Sequence, residues 1–266
     1  MIDERVHMPF FVFIINYNCT LKCKDCGNFI PYLPKEKKRC FSFEEIKQDI
    51  DILSSSIFIN YLQLQGGESL LHNELDKIIA YIAGLNFVER IGIATNGTIL
   101  LNDNLLKVCK DNNVHIRISN YGVINHQKVS KLISQCEEHN IQFSIYNMAS
   151  GIVSKLSDGK PYWYNLGGLD TPRNCNDLEV VKIHESCPFH KCYTSSEGLL
   201  TKCSRSPVGY MVGLYPFFPQ YFVNIRNEKG MLKTKIREFI ADKKFMECCR
   251  YCNGIEDKKI EPAIQL

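Results

Sequence analysis

From Pro9 to Tyr146 the chain switches back and forth between two hydrophobic periods. Phe10-Phe11-Val12-Phe13-Ile14-Ile15 is a continuous apolar run of strand composition, and Pro9 at its start occupies a position that a strand tolerates. Ser42-Phe43-Glu44-Glu45 reads as a capping box, with Ser42 at the N-cap and Glu45 three residues on. Ile46, Ile50 and Leu53 follow on one helix face. Phe58–Gln65 reads as a second strand, and Leu75, Ile78, Ile79 and Ile82 mark a second helix. Val88–Ala94, Val114–Ile118 and Ile141–Tyr146 are the next strands. They are separated by helices carrying Leu105, Leu106, Val108 and Cys109, then Val129, Leu132, Ile133 and Cys136. This alternation predicts a parallel sheet with right-handed crossovers. Beyond Asn147 the rhythm fails, and residues 148–178 show no clear period. Leu178–Ile183 is predicted as a sixth strand. The expected fold is α/β: a partial parallel (β/α) barrel of five or six strands over residues 1–185, followed by a small cysteine-rich C-terminal domain over 186–266.

The polar motifs share one address. Cys19-Thr20-Leu21-Lys22-Cys23-Lys24-Asp25-Cys26, Gly66-Gly67-Glu68, Thr95-Asn96-Gly97 and Ser119-Asn120-Tyr121-Gly122 each follow the end of a predicted strand. In parallel α/β barrels that end of the strands carries the site.

Composition narrows the chemistry. Lys plus Arg number 32 against 29 Asp plus Glu, a net charge of +3 in 266 residues, and no basic stripe argues for nucleic acid. The start of the chain does not read as a signal peptide, and no apolar stretch is long enough to span a bilayer. Thirteen cysteines in such a chain point to metal or redox chemistry rather than a disulfide framework, in the reducing cytoplasm and away from membranes. Three of them, Cys19, Cys23 and Cys26, lie within eight residues on one loop. Tetrahedral zinc asks for a fourth protein ligand, and none stands nearby. Three thiolates on one loop suit an iron–sulfur cluster, and a [4Fe–4S] cluster held by three cysteines keeps one iron free. The plainer alternative is a chance triple of buried cysteines.

The Cys-x3-Cys-x2-Cys loop resembles that of the radical S-adenosylmethionine (radical SAM) superfamily, where the free iron chelates the methionine end of SAM. Gly66-Gly67-Glu68, a mere turn if read alone, resembles the family's Gly-Gly-Glu motif, which implies that Gly66, Gly67 and Glu68 hold the SAM amino group. Glycines permit close backbone approach, and a carboxylate accepts from an ammonium. Ser69 stands where members often have proline. Thr95-Asn96-Gly97 matches the end of the family's third strand, which adds Asn96 to the SAM site. Ser119 matches a ribose-contacting position, with Asn120 beside it. Asp25 stands where many members carry an aromatic residue near the adenine. The resemblance covers about residues 10–185.

In the last third, Cys187-x10-Gly198-x4-Cys203 with Cys249-x2-Cys252 resembles the auxiliary-cluster domains called SPASM and twitch, the shorter twitch type holding one further [4Fe–4S] cluster. The resemblance implies Cys187, Cys203, Cys249 and Cys252 as its ligands, with Cys192 an alternative to Cys187 and Cys248 to Cys249. Ser195-Ser196-Glu197-Gly198 is expected to turn a small hairpin. A structural zinc site is the alternative for this region. Cys109 and Cys136 read as core residues on apolar helix faces, while Cys40 and Cys175 have no evident role. The histidines are scattered.

The implied activity is that of a radical SAM oxidoreductase using two [4Fe–4S] clusters and SAM, with an external one-electron donor such as flavodoxin or ferredoxin. The expected substrate is a small molecule of carbohydrate type, oxidised or epimerised. Three features lead there: no evident domain for a leader peptide, a resemblance to the aminoglycoside-type alcohol dehydrogenases of the superfamily, and the Trp163-Tyr164 loop with Gly167-Gly168, whose aromatic faces suit a sugar ring. A buried aromatic that merely pins this loop is the plain alternative. Arg173, His184 and His190 are further candidates for the cavity. Cys192 is a candidate hydrogen donor for epimerisation. Modification of a ribosomal peptide is the alternative substrate reading. A non-SAM electron carrier and an adaptor with a structural zinc domain are the alternatives of another class.

Overall fold

The first strand, β1 (Val6–Ile14), begins four residues earlier than the apolar run suggests and carries Pro9 inside it. Pro9 is tolerated there because the second neighbour of β1 pairs only from Phe11 onward, so the strand is still an edge at Pro9. The computed structural model describes residues 4–266 except 149–150, 157–158, 168, 170–174, 190–191, 229 and 256–258; Gly168, Arg173 and His190 thus lie outside the described residues. Helix α1 (Phe43–Ser54) opens on Ser42, whose hydroxyl accepts from Glu45 N–H while the Glu45 carboxylate accepts from Ser42 N–H, the reciprocal pair the sequence predicts. Then follow β2 (Ile57–Gln65), α2 (Leu75–Ala83), β3 (Val88–Thr95), α3 (Asp103–Asp111), β4 (His115–Ser119), α4 (His126–Glu138) and β5 (Phe143–Tyr146). Strands β1 to β5 pair in parallel and in sequence order.

The two faces of this sheet differ. Leu62, Leu64, Ile91, Ile93, Ile116 and Ile118 are buried on the face that the amphipathic helices cover. The opposite, inner face carries Phe10 stacked on Tyr61, Tyr61 Oη hydrogen-bonded to His115 Nδ1 at 2.7 Å, and the Arg117 guanidinium over the Tyr146 ring at 4.0 Å.

Beyond β5 the chain departs from the sequence expectation. Two short strands, β6 (Ile152–Val153) and β7 (Trp163–Tyr164), precede helix α5 (Asp177–Ser186). The predicted strand Leu178–Ile183 is therefore helix. Asn176 caps it by accepting from Leu178 and Glu179 N–H, Glu179 closes a capping box, and the buried Val180 and Ile183 fall three apart on one face. The sixth parallel strand is β8 (Tyr193–Ser196), and it lies on the other flank, beside β1. Glu197 and Gly198 both adopt left-handed φ, 51° and 77°, and turn β8 into β9 (Leu199–Thr201) as a two-residue hairpin, as expected. The one-turn helix α6 (Ser206–Gly209), β10 (Val223–Asn224), α7 (Leu232–Ala241) and β11 (Lys259–Ile260) complete the order. The main sheet runs β10-β9-β8-β1-β2-β3-β4-β5-β6, so residues beyond 186 continue it, while β11 and β7 form a separate two-stranded sheet. Among the described residues no helix is long and apolar enough to cross a membrane.

Candidate functional site

The four polar motifs do meet at one end of the sheet, and hydrogen bonds join three of them. Glu68 follows β2 and is 1 % exposed. Its Oε1 accepts from Leu70 N–H at 3.0 Å and from Thr95 Oγ1 at 2.7 Å, and its Oε2 accepts from Asn96 N–H at 2.7 Å. Burial pushes the Glu68 carboxyl above the usual carboxylate range, against those three donors. A carboxylate offers about four acceptor positions, so room for one more donor remains on Oε2. Asn96, after β3, donates from Nδ2 to Thr20 Oγ1 at 3.0 Å and to Cys19 Sγ at 3.6 Å. The strand-end motifs of β2 and β3 are thereby tied to the cysteine loop.

The two glycines before Glu68 have a role within the chain itself. A Cβ on Gly66 would stand 2.6 Å from Asn16 O, and one on Gly67 would stand 2.2 Å from Asn18 O. The segment leaving β1 passes so close that only hydrogen fits, and it hydrogen-bonds there: Gly67 N–H to Asn16 O and Glu68 N–H to Asn18 O.

Cys19, Cys23 and Cys26 lie on that same segment, half-buried to buried, and each interacts electrostatically with at least one of the others. Burial pushes the Cys19 thiol up to about 11 and the Cys23 thiol to about 12, and it raises Cys26 as well. A metal inverts this preference, since a coordinating thiol is deprotonated outright. Leu21 N–H and Asn96 Nδ2 point at Cys19 Sγ, and Gln265 Nε2 points at Cys23 Sγ. Three thiols on one loop, with amide donors facing the sulfurs, are a donor set that fits an iron–sulfur cluster. Among the described residues no three Cys, His, Asp or Glu side chains converge closely enough to hold a single metal ion.

Ser119 is buried at the end of β4 and hydrogen-bonds Tyr121. Asn120 is held at both ends of its amide: Nδ2 donates to Asn147 Oδ1 at 2.8 Å, and Oδ1 accepts from Gly122 N–H. Trp163 is 7 % exposed and packs edge-on against Tyr121, in a small core with Cys23 and Ala263; among the described residues its Nε1 meets no hydrogen-bond partner. The open ring face expected of this residue is thus largely covered.

The second cysteine set is also gathered. Cys187 ends α5, Cys203 follows β9, and Cys249 lies in a short 3-10 turn, Glu247–Tyr251; Cys203 interacts electrostatically with both of the others. Cys252 leaves that turn, accepts from Gly254 N–H at 3.4 Å and packs with Cys249 and the buried Cys175. Cys248 stands 3.4 Å from Ser206 Oγ and shares a hydrogen bond with Cys249, which lowers the Cys249 thiol and raises its own. His184 also faces Cys249, rather than the inner face of the sheet. Burial raises the Cys26 and Cys203 thiols, and the Arg205 cation, near both, offsets a small part of that rise. Cys192 lies at the inner face near Arg117, with its thiol pushed up to about 12 by burial. Sequence reasoning missed Asn16, Arg205 and Gln265, single polar residues that form no local motif.

Comparison with known proteins agrees with this geometry. Residues 13–121 match the family model described as Radical SAM superfamily. The GTP 3',8-cyclase of Aquifex aeolicus (strain VF5) is 27% identical over 140 residues, 51% of this chain and 42% of that protein. That of Staphylococcus saprophyticus subsp. saprophyticus is 31% identical over 88 residues, 31% of this chain and 25% of that protein. The chain therefore spans less than half the length of these curated relatives. Among solved structures, BtrN in complex with AdoMet and 2-DOIA superposes with a TM-score of 0.55 at 15% identity, covering 97% of each chain. Native anSMEcpe with bound AdoMet and Kp18Cys peptide gives 0.54 at 13% identity, covering 98% of this chain and 93% of that one. These likenesses establish the α/β fold with its mostly parallel sheet.

Proposed function

We propose that the protein is a radical SAM enzyme that takes hydrogen from a carbon of a carbohydrate-type small molecule, oxidising or epimerising it. The observation that carries this reading is the interlock of the cysteine loop, Glu68 and Asn96 at the strand ends of a radical SAM domain. Cys19, Cys23 and Cys26 would hold the site cluster. Glu68 would offer its remaining acceptor position to the SAM ammonium, Asn96 would hold the loop against it, and Ser119 would meet the ribose. When bound, the cluster and SAM supply a radical strong enough to break an unactivated C–H bond. The chain orients the reactants and keeps water out. Residues 186–266 would form the auxiliary domain, with Cys187, Cys203, Cys249 and Cys252 holding a second cluster that accepts an electron in an oxidation. The half-buried Cys192 thiol, its pKa raised by desolvation, would donate its hydrogen in an epimerisation.

The inner face supports a polar small molecule: Gln63, Gln65, His115 and Arg117 share it with the Tyr146 ring. A solved fold neighbour of matching length carries AdoMet and 2-DOIA. Another carries a peptide, which keeps peptide modification as the second reading. Substrate deuterated at the reacting carbon decides between them. Label should pass into 5′-deoxyadenosine, with a ketone product for the oxidation or solvent hydrogen at that carbon for the epimerisation. Sugars that give neither, beside a peptide that does, would overturn the carbohydrate reading. Anaerobically reconstituted protein should carry about eight irons, and about four after Cys19, Cys23 and Cys26 are changed together to Ala. Stoichiometric zinc on the second set would make that region a structural zinc site.

A further inference from the structure

Residues 263–266 lie far from the cysteine loop in sequence, yet they run along it as an antiparallel partner. Lys24 N–H donates to Ile264 O at 2.7 Å, Leu266 N–H donates to Lys22 O at 2.9 Å, and Cys23 and Gln265 form a bridge pair. Ala263 is fully buried in the core that holds Cys23 and Trp163. One side chain in this segment reaches a sulfur. Gln265 Oε1 accepts from Lys22 N–H at 2.8 Å, and Gln265 Nε2 donates to Ala263 O at 2.6 Å and to Cys23 Sγ at 3.5 Å. The orientation of this amide is fixed by its partners. A backbone N–H only donates, so the oxygen must face Lys22; a carbonyl only accepts, so the nitrogen must face Ala263. The remaining N–H of the amide therefore points at Cys23.

We propose that Gln265 is a positioning residue for the cluster on Cys19, Cys23 and Cys26: it pins the loop through Lys22 and sets the cluster's reduction potential by donating to the Cys23 thiolate. A donor on a ligand sulfur draws electron density from it and favours the more negative, reduced state, so it raises the potential. Asn96 is placed to do the same for Cys19 but is bound up with Glu68, whereas the Gln265 side chain, among the described residues, bonds Lys22, Ala263 and Cys23. The inference rests on the cluster reading above, and its test separates the two.

Two substitutions in the full reconstituted chain divide the roles. Gln265→Leu removes both the acceptor and the donor. Gln265→Glu keeps an acceptor for Lys22 N–H but replaces the donor by a negative charge beside the sulfur. The readout is the midpoint potential of the cluster whose electron paramagnetic resonance signal changes on adding SAM, together with the rate of iron loss in air. Both variants should shift the midpoint to more negative values, Gln265→Glu the further, and Gln265→Leu should lose iron several-fold faster than wild type. If Gln265→Leu fails to retain iron, Gln265→Glu alone decides. An unmoved midpoint in a variant that keeps its iron overturns the role of Gln265 and leaves the cluster reading standing. Wild-type protein that takes up no iron on Cys19, Cys23 and Cys26 overturns both.

Discussion

Glu68 organises the strand ends through its carboxylate. It accepts from Thr95, Asn96 and Leu70, and one acceptor position is left over for the proposed SAM ammonium. Glu68→Ala should therefore weaken SAM binding ten-fold or more: a buried charge deprived of its partner costs about 1–3 kcal/mol, and each ten-fold is about 1.4 kcal/mol. Calorimetric titration of reconstituted protein with SAM checks this, and normal affinity in the variant would place the ammonium elsewhere. The identity of these residues was legible in the sequence because each lies in a short motif at a strand end. Their mutual contacts were not, since Cys19, Glu68 and Asn96 are brought together only by the parallel stacking of β1, β2 and β3. The role of Gly66 and Gly67 in admitting the Asn16–Asn18 backbone was equally invisible, because it depends on a segment fifty residues away.

Local rules governed the elements wherever the apolar period was strong. The Ser42 capping box is present as read, and Ser42→Ala should destabilise the protein by about 1 kcal/mol through loss of the N-cap. Thermal unfolding followed at the α1 end of the molecule should register a melting point lower by a few degrees, whereas no change would mean that Glu45, also paired with Arg39 at 2.9 Å, holds the helix start without it. The misread element is instructive. Leu178–Ile183 is short and mixed in pattern, and a six-residue window cannot separate a strand from a helix turn. The decisive signal was the Asn176 cap with Glu179 three residues on, the same device correctly read at Ser42.

At the scale of the whole molecule, the inner face of the sheet sets a pH limit. His115 bonds Tyr61 on β2, which stacks on Phe10 of β1, so this histidine ties three strands. Burial, with the Arg90 and Arg117 cations, lowers its pKa from the ordinary 6.5 to about 4. Between those values the unfolded chain binds a proton that the folded one does not, so stability is intact above about 6.5 and falls as the pH drops toward 4. Melting curves across that range should show this loss, and His115→Gln should flatten it; an unchanged slope would assign the acid sensitivity to other groups. The sequence by itself determined the alternating strands and helices, the strand-end address of the polar motifs and the cysteine loop, because each rests on spacing within a few residues. Only the tertiary structure decided that β8 flanks β1, that the Cys26 and Cys203 neighbourhoods share Arg205, and that residues 263–266 pair with the cysteine loop. Those pairings join segments far apart in the chain, and no local period or propensity encodes which distant edge a short strand will meet.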